Sequence, residues 1–125
     1  MSPTLAGRRI VQAAFTVTDL ARSVAFYRDV LGFPALFETN GMAFFQAGEI
    51  RFMVGTNSPD PPARGTVVYF DAPDIDELVP ALEARGVVFE GPIVILQRTE
   101  THELKLALFR DPDGNPIGLM GTVAV

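Results

Sequence analysis

The sequence predicts an α+β fold of two tandem βαβββ modules, and three observations predict it. The first is an internal repeat. Phe15-Thr-Val-Thr-Asp-Leu20 leads through a helical stretch to Gly32-Phe33-Pro34, and Tyr69-Phe-Asp-Ala-Pro-Asp-Ile75 leads through another to Gly86-Val-Val-Phe89. The second is spacing: Asp19 to Gly32 is 13 positions and Asp74 to Gly86 is 12. The third is the set of short β-like runs, separated by turn residues, that follows each glycine. Two copies of one unit must pack together, and the groove between them is the natural place for a ligand.

Each element has its own signal. In residues 10–17, Val11, Ala13, Phe15 and Val17 alternate with Ile10, Gln12, Ala14 and Thr16, the period of a strand. Thr18 or Asp19 then caps a helix that places Leu20, Val24, Tyr27 and Leu31 on one face, and Gly32 stops it where a positive φ is needed. Runs at residues 35–38, 42–47 and 51–54 complete the first module. In the second, Ile75, Leu78, Val79 and Leu82 share a helix face that ends at Gly86. Pro80 costs that helix a backbone hydrogen bond and predicts a kink or a late start. Residues 87–90, 104–109 and 116–120 supply its further strands. Turn residues stand at Asn40-Gly41, Gly48 and Asp113-Gly-Asn115, and Gly55 and Gly65 also read as turns.

The organisation is one domain over residues 1–125: module one at about 8–55, a proline-rich connector at about 56–65, module two at about 66–122. A hydrophobic content of 48% supplies a core for one domain of this length. The absence of cysteine removes disulfides, thiolate metal sites and cysteine nucleophiles, and fits a reducing compartment. Arg8-Arg9 precedes only about eight apolar residues before Thr18-Asp19, so a strand is a better reading than a leader peptide. No stretch reaches the ~20 apolar residues of a membrane helix; the expected location is cytoplasmic. A net charge of −5, with ten Lys and Arg among fifteen acids, offers no clustered basic face for nucleic acid. That acidity either favours a cationic ligand or is ordinary solubility charge.

Three segments together carry a family resemblance. Thr16-Val-Thr-Asp-Leu-Ala-Arg-Ser-Val-Ala-Phe-Tyr-Arg-Asp-Val-Leu-Gly-Phe33, Ala72-Pro-Asp-Ile-Asp76 with Gly86-Val87, and Phe109-Arg-Asp-Pro-Asp-Gly-Asn115 resemble the vicinal oxygen chelate superfamily. That superfamily holds glyoxalase I, bleomycin-resistance proteins, extradiol dioxygenases and methylmalonyl-CoA epimerase. The resemblance implies curved mixed sheets around a cavity, a small-molecule ligand or substrate and, as members often dimerise, a homodimer. No alternating stripe is obviously left over in the sequence to mark the partner face.

The resemblance also implies where a divalent metal would sit, on inward His, Glu or Gln side chains that let it polarise substrate oxygens. Carried over, the first position is Gln12, seven before Asp19, and the second is Val67, seven before Asp74. The glutamate expected after Asn115-Pro-Ile is Gly118, and Arg51 offers a cation where a carboxylate belongs. A one-residue slip would instead turn Tyr69, Asp71 or Glu49 inward. One amide oxygen does not make a site for an ion that wants three or four O or N donors, so the expectation is no cofactor.

His102, the single histidine, precedes the penultimate strand and has a pKa range suited to acid/base work, or else it is a solvated loop residue. Glu103 beside it would face the other way. Tyr27 reads as core; Tyr69 reads equally as packing or as ligand contact. Of Phe44, Phe45 and Phe52, some should face the cavity and most should be core. Ser23 and Ser58 lack a nucleophile-elbow context. Two functions remain. One is a metal-free binding protein of the drug-sequestering kind, with Gln12, Arg51, Tyr69 and His102 orienting the ligand. The other is a glyoxalase-like lyase or isomerase, or a dioxygenase, with an atypical metal site or metal-free acid/base chemistry at His102.

Overall fold

The computed structural model describes residues 4, 6–56 and 66–125. The first module contains β1 (Gln12–Thr16), α1 (Leu20–Val24), β2 (Ala35–Thr39), β3 (Met42–Ala47) and β4 (Ile50–Gly55). The second contains β5 (Val68–Asp71), α2 (Ile75–Ala84), β6 (Val94–Arg98), β7 (His102–Arg110) and β8 (Pro116–Ala124). Each module is a four-stranded mixed sheet, ordered β1-β4-β3-β2 and β5-β8-β7-β6. In both, the first strand pairs parallel with the last and the other pairs are antiparallel. The connector, including Gly65, lies almost wholly outside the described residues.

Asp19 caps α1 by accepting from the Arg22 backbone N–H at 3.1 Å. Where the apolar spacing predicts one regular helix, α1 widens into a π-helical turn over Ala25–Val30, with Leu31 N donating to Phe26 O at 3.0 Å. Consecutive aromatics there both face protein: Phe26 packs on Phe109 and Tyr27 on Phe52, with ring centroids 6.5 and 5.1 Å apart. Gly32 and Gly86 stop the helices at φ +84° and +96°, which a Cβ would strain.

Three details differ from the sequence expectation. Pro80 lies inside α2, which begins at Ile75, so the start is not delayed. Residues 87–90 form no strand: Phe89 makes a single bridge to Phe109, and the outer strand is Val94–Arg98. Gly55 is no turn but the last residue of β4, opposite Thr16 and Met42.

One core joins the modules. Phe15, Phe45, Phe52 and Val54 from the first sheet and Phe109, Ile117 and Leu119 from the second are all buried against the helices. Phe70 bridges them, with centroids 5.1 Å from Phe33 and 5.9 Å from Phe52. A polar clamp reinforces this seam. Buried Asp111 accepts from Tyr27 OH (2.9 Å), Asn115 Nδ2 (2.8 Å) and the backbone N–H groups of Asp113 (2.9 Å) and Asn115 (2.8 Å). Asn115 Nδ2 also donates to Thr16 O at 3.0 Å, and Asp113 accepts from Thr18 N at 3.0 Å. Tyr27 is core, as expected, and its hydroxyl ties α1 to the second module. Burial and then Asp111 push its phenol well above the ordinary tyrosine range.

Candidate functional site

The alternation that buries one face of each sheet leaves the other open. On module one the open face has two rows. Gln12 is opposite Arg51, which is opposite Gln46; Ala14 is opposite Met53, then Phe44, then Phe37. Phe37 and Phe44 stack with centroids 4.4 Å apart and an 18° interplanar angle. The Arg51 guanidinium lies over the Phe44 ring, 5.9 Å from its centroid, within cation–π range. Phe45 and Phe52 face the core.

On module two the open face carries Tyr69, Asp71, Gly118, Met120 and Thr122, with Leu104, Leu106 and Leu108 from β7 and Val94 from β6. Tyr69, Asp71, Leu104, Met120 and Thr122 line a shallow pocket of about 330 Å³. The polarity of β7 runs contrary to the usual pattern at its first half. Its helix-side residues Glu103 and Lys105 are ion-paired, to Arg98 at 2.6 Å and to Asp76 at 2.8 Å. Its outward residues are leucines. A stripe therefore is left over, and the expectation that none stands out is corrected: residues 104–109 are apolar on both faces over part of their length, which hides the period.

Tyr69 and Gly118 are directly opposite, and the tyrosine ring lies across the glycine. A Cβ on Gly118 would sit 2.3 Å from Tyr69 Cδ1 and 2.5 Å from Cε1. The position that would hold a ligating glutamate is thus covered by an aromatic ring. On the other sheet, the guanidinium of Arg51 stands beside the Gln12 amide and repels a cation. Val67 has no donor atom in its side chain, and among the described residues no three His, Cys, Asp or Glu converge. The donor set does not fit a divalent metal.

The four expected ligand contacts separate into two groups. Gln12 and Arg51 are neighbours on the first sheet, while Tyr69 and His102 belong to the second. His102 starts β7 opposite Ala124, two residue pairs beyond Leu104–Thr122, and is exposed, with Nδ1 2.8 Å from Thr101 Oγ1. Glu103 faces the opposite side, as alternation requires. Phe37, Leu106 and Met120 lie on these open faces and are not among the expected contacts; the alternation of Leu104, Leu106 and Leu108 is the signal that the apolar Ala107 and Phe109 between and beside them obscure.

Two sheets of this topology, paired through a shared core with their outer faces open, define the glyoxalase-like class of fold. The sequence matches the Glyoxalase/Bleomycin resistance protein/Dioxygenase superfamily over residues 9–119, and the chain belongs to that superfamily. It is 31% identical over 119 residues to the virulence protein STM3117 of Salmonella typhimurium, covering 87% of this chain and 81% of that one. Its fold is similar to lactoylglutathione lyase from Agrobacterium tumefaciens (TM-score 0.73, 23% identity, 91% and 93% of the two chains). It is also similar to TnmS3, an antibiotic binding protein from Streptomyces sp. CB03234 (TM-score 0.74, 24% identity, 94% and 98%). No helix among the described residues is long and apolar enough to cross a membrane.

Proposed function

We propose that this protein binds a small organic molecule without a divalent metal, in a cavity closed by a second copy of the chain. The observation that carries the reading is the Tyr69 ring over Gly118 on one sheet, together with Arg51 opposite Gln12 on the other. Both changes replace metal donors with groups suited to holding an organic ligand: aromatic surface, a guanidinium and an amide. The fold shared with an antibiotic binding protein is consistent with it.

The second copy is argued from the open faces. Phe37, Tyr69, Val94 and Leu96 are all 46–51% exposed, and the three β7 leucines point away from their own core. Apolar faces of this kind mark an interaction site. Apposing them across a two-fold axis encloses two equivalent cavities.

A metal-free acid/base reaction would fall to His102. Its sequence neighbour Glu103 is turned away and ion-paired, so the strand tip offers that histidine no carboxylate partner from β7. Binding is therefore the reading the geometry favours.

Elemental analysis of protein purified without chelator tests the metal claim, paired with melting in Mn, Fe, Co, Ni and Zn salts. The expected result is less than a stoichiometric amount of any of these and no rise in Tm, since an ion held by the native state must stabilise it. About one tightly held ion per chain would overturn the reading.

A further inference from the structure

The charge on the open face of module one differs from that of the whole chain. Arg22, Arg28, Arg98, Lys105 and Arg110 each lie within reach of a carboxylate: Asp113, Asp29, Glu103, Asp76 and Glu90 respectively. Arg51 makes no ion pair among the described residues. Its strand neighbours on the open face, Gln12 and Gln46, are neutral.

A guanidinium is weakly hydrated, stacks on aromatic faces and presents a fixed fork of donors matched to a carboxylate. Stacking on Phe44 holds the Arg51 group while its N–H edges make no protein hydrogen bond among the described residues. Next to it, Phe37 and Phe44 form a parallel aromatic pair, with Phe37 49% exposed. Gln12, opposite Arg51, adds an amide that can accept or donate. The outward edges of the two stacked rings thus form an apolar ledge that ends at an unpaired, oriented cation.

We infer that the ligand is a planar aromatic anion, its ring face across the edges of Phe37 and Phe44 and its acid group on Arg51 with Gln12 beside it. This rests on the reading of the open face as the binding surface. It also reverses what the net charge of −5 suggests, because recognition is set by the few groups in contact and the summed field acts mainly on encounter.

The test uses the full chain, calorimetric titration and three probes: 2-naphthoate, the neutral 2-naphthalenemethanol, and cyclohexanecarboxylate, which has the acid without the planar ring. Wild type should bind naphthoate about tenfold or more tightly than either of the others, the scale of a charged hydrogen bond. Arg51→Gln should lower naphthoate affinity by about tenfold, to the level of the alcohol. Phe37→Leu, which removes a ring that does not carry Arg51, should weaken both aromatic probes and leave cyclohexanecarboxylate unchanged. Melting curves confirm that each variant folds.

If naphthoate and the alcohol bind equally and only Phe37→Leu weakens them, the anionic class is wrong and the open-face site stands. If Arg51→Gln leaves naphthoate affinity intact but weakens self-association, Arg51 serves the contact with a second copy and the inference fails. If neither variant moves an observed affinity, the site lies elsewhere and both readings fail. Absence of binding by all three probes at millimolar concentration overturns both.

Discussion

Gly121→Ala is expected to destabilise the protein by about 3 kcal/mol, the upper range for forcing extra volume into a packed interior. A Cβ on Gly121 would lie 1.8 Å from the carbonyl oxygen of Ala72 and 2.5 Å from its carbon. Neither is a side chain that can swing aside. Ala72 is fully buried and its N–H donates to Met120 O at 2.8 Å, so β8 and the turn into α2 are bound together where the methyl would enter. Gly91→Ala is the control: nothing lies within 4 Å of its Cβ position, and a change within about 0.5 kcal/mol is expected. Urea unfolding of both variants decides the matter. Equal midpoints would mean that β8 can separate from Ala72 at little cost.

Asp111→Ala is the second large effect, a loss of at least about 3 kcal/mol, because it strands several buried donors at once. Tyr27 OH and two backbone N–H groups lose their acceptor, and Asn115 Nδ2 keeps only Thr16 O. Tyr27→Phe removes one of these bonds and should cost about 1 kcal/mol. The tyrosine also predicts a pH dependence. Its phenol is raised in the fold, so the unfolded chain releases that proton first. The stabilisation is fully present below the ordinary tyrosine pKa of about 10 and is lost as pH rises above it. Urea midpoints measured at pH 7 and above pH 10 should fall further for wild type than for Tyr27→Phe. Parallel curves would detach Tyr27 from the seam.

Local patterns carried most of the architecture and little of the site. The repeat from Asp19 and Asp74 to their stop glycines reports short-range chemistry, caps and turns, that acts wherever the chain goes. Strand β6 has no legible period because the bulge between Ile95 and Gln97 interrupts its alternation. Residues 87–90 mimic a strand although Val88 is 83% exposed. The clamp joins residues 84 positions apart in Tyr27 and Asp111, and no periodicity encodes such a pairing. Gly118 reads in sequence as a missing donor; that it seats the Tyr69 ring follows only from the parallel register of β5 with β8. Arg51 reads as a cation in the wrong place. Its proposed role as a ligand contact rests on Phe44 underneath it, a cross-strand relation between β3 and β4.

Both the cavity and the ligand chemistry depend on covering the two open faces. Sedimentation equilibrium of the purified chain over a wide concentration range tests that directly, with Leu106→Lys as the companion variant. The wild type should sediment as a dimer of the 13.5 kDa chain and the variant as a folded monomer, since a charge would then sit in the middle of the apolar stripe. A wild type that stays monomeric at tens of micromolar, with its leucines in solvent, would contradict the account.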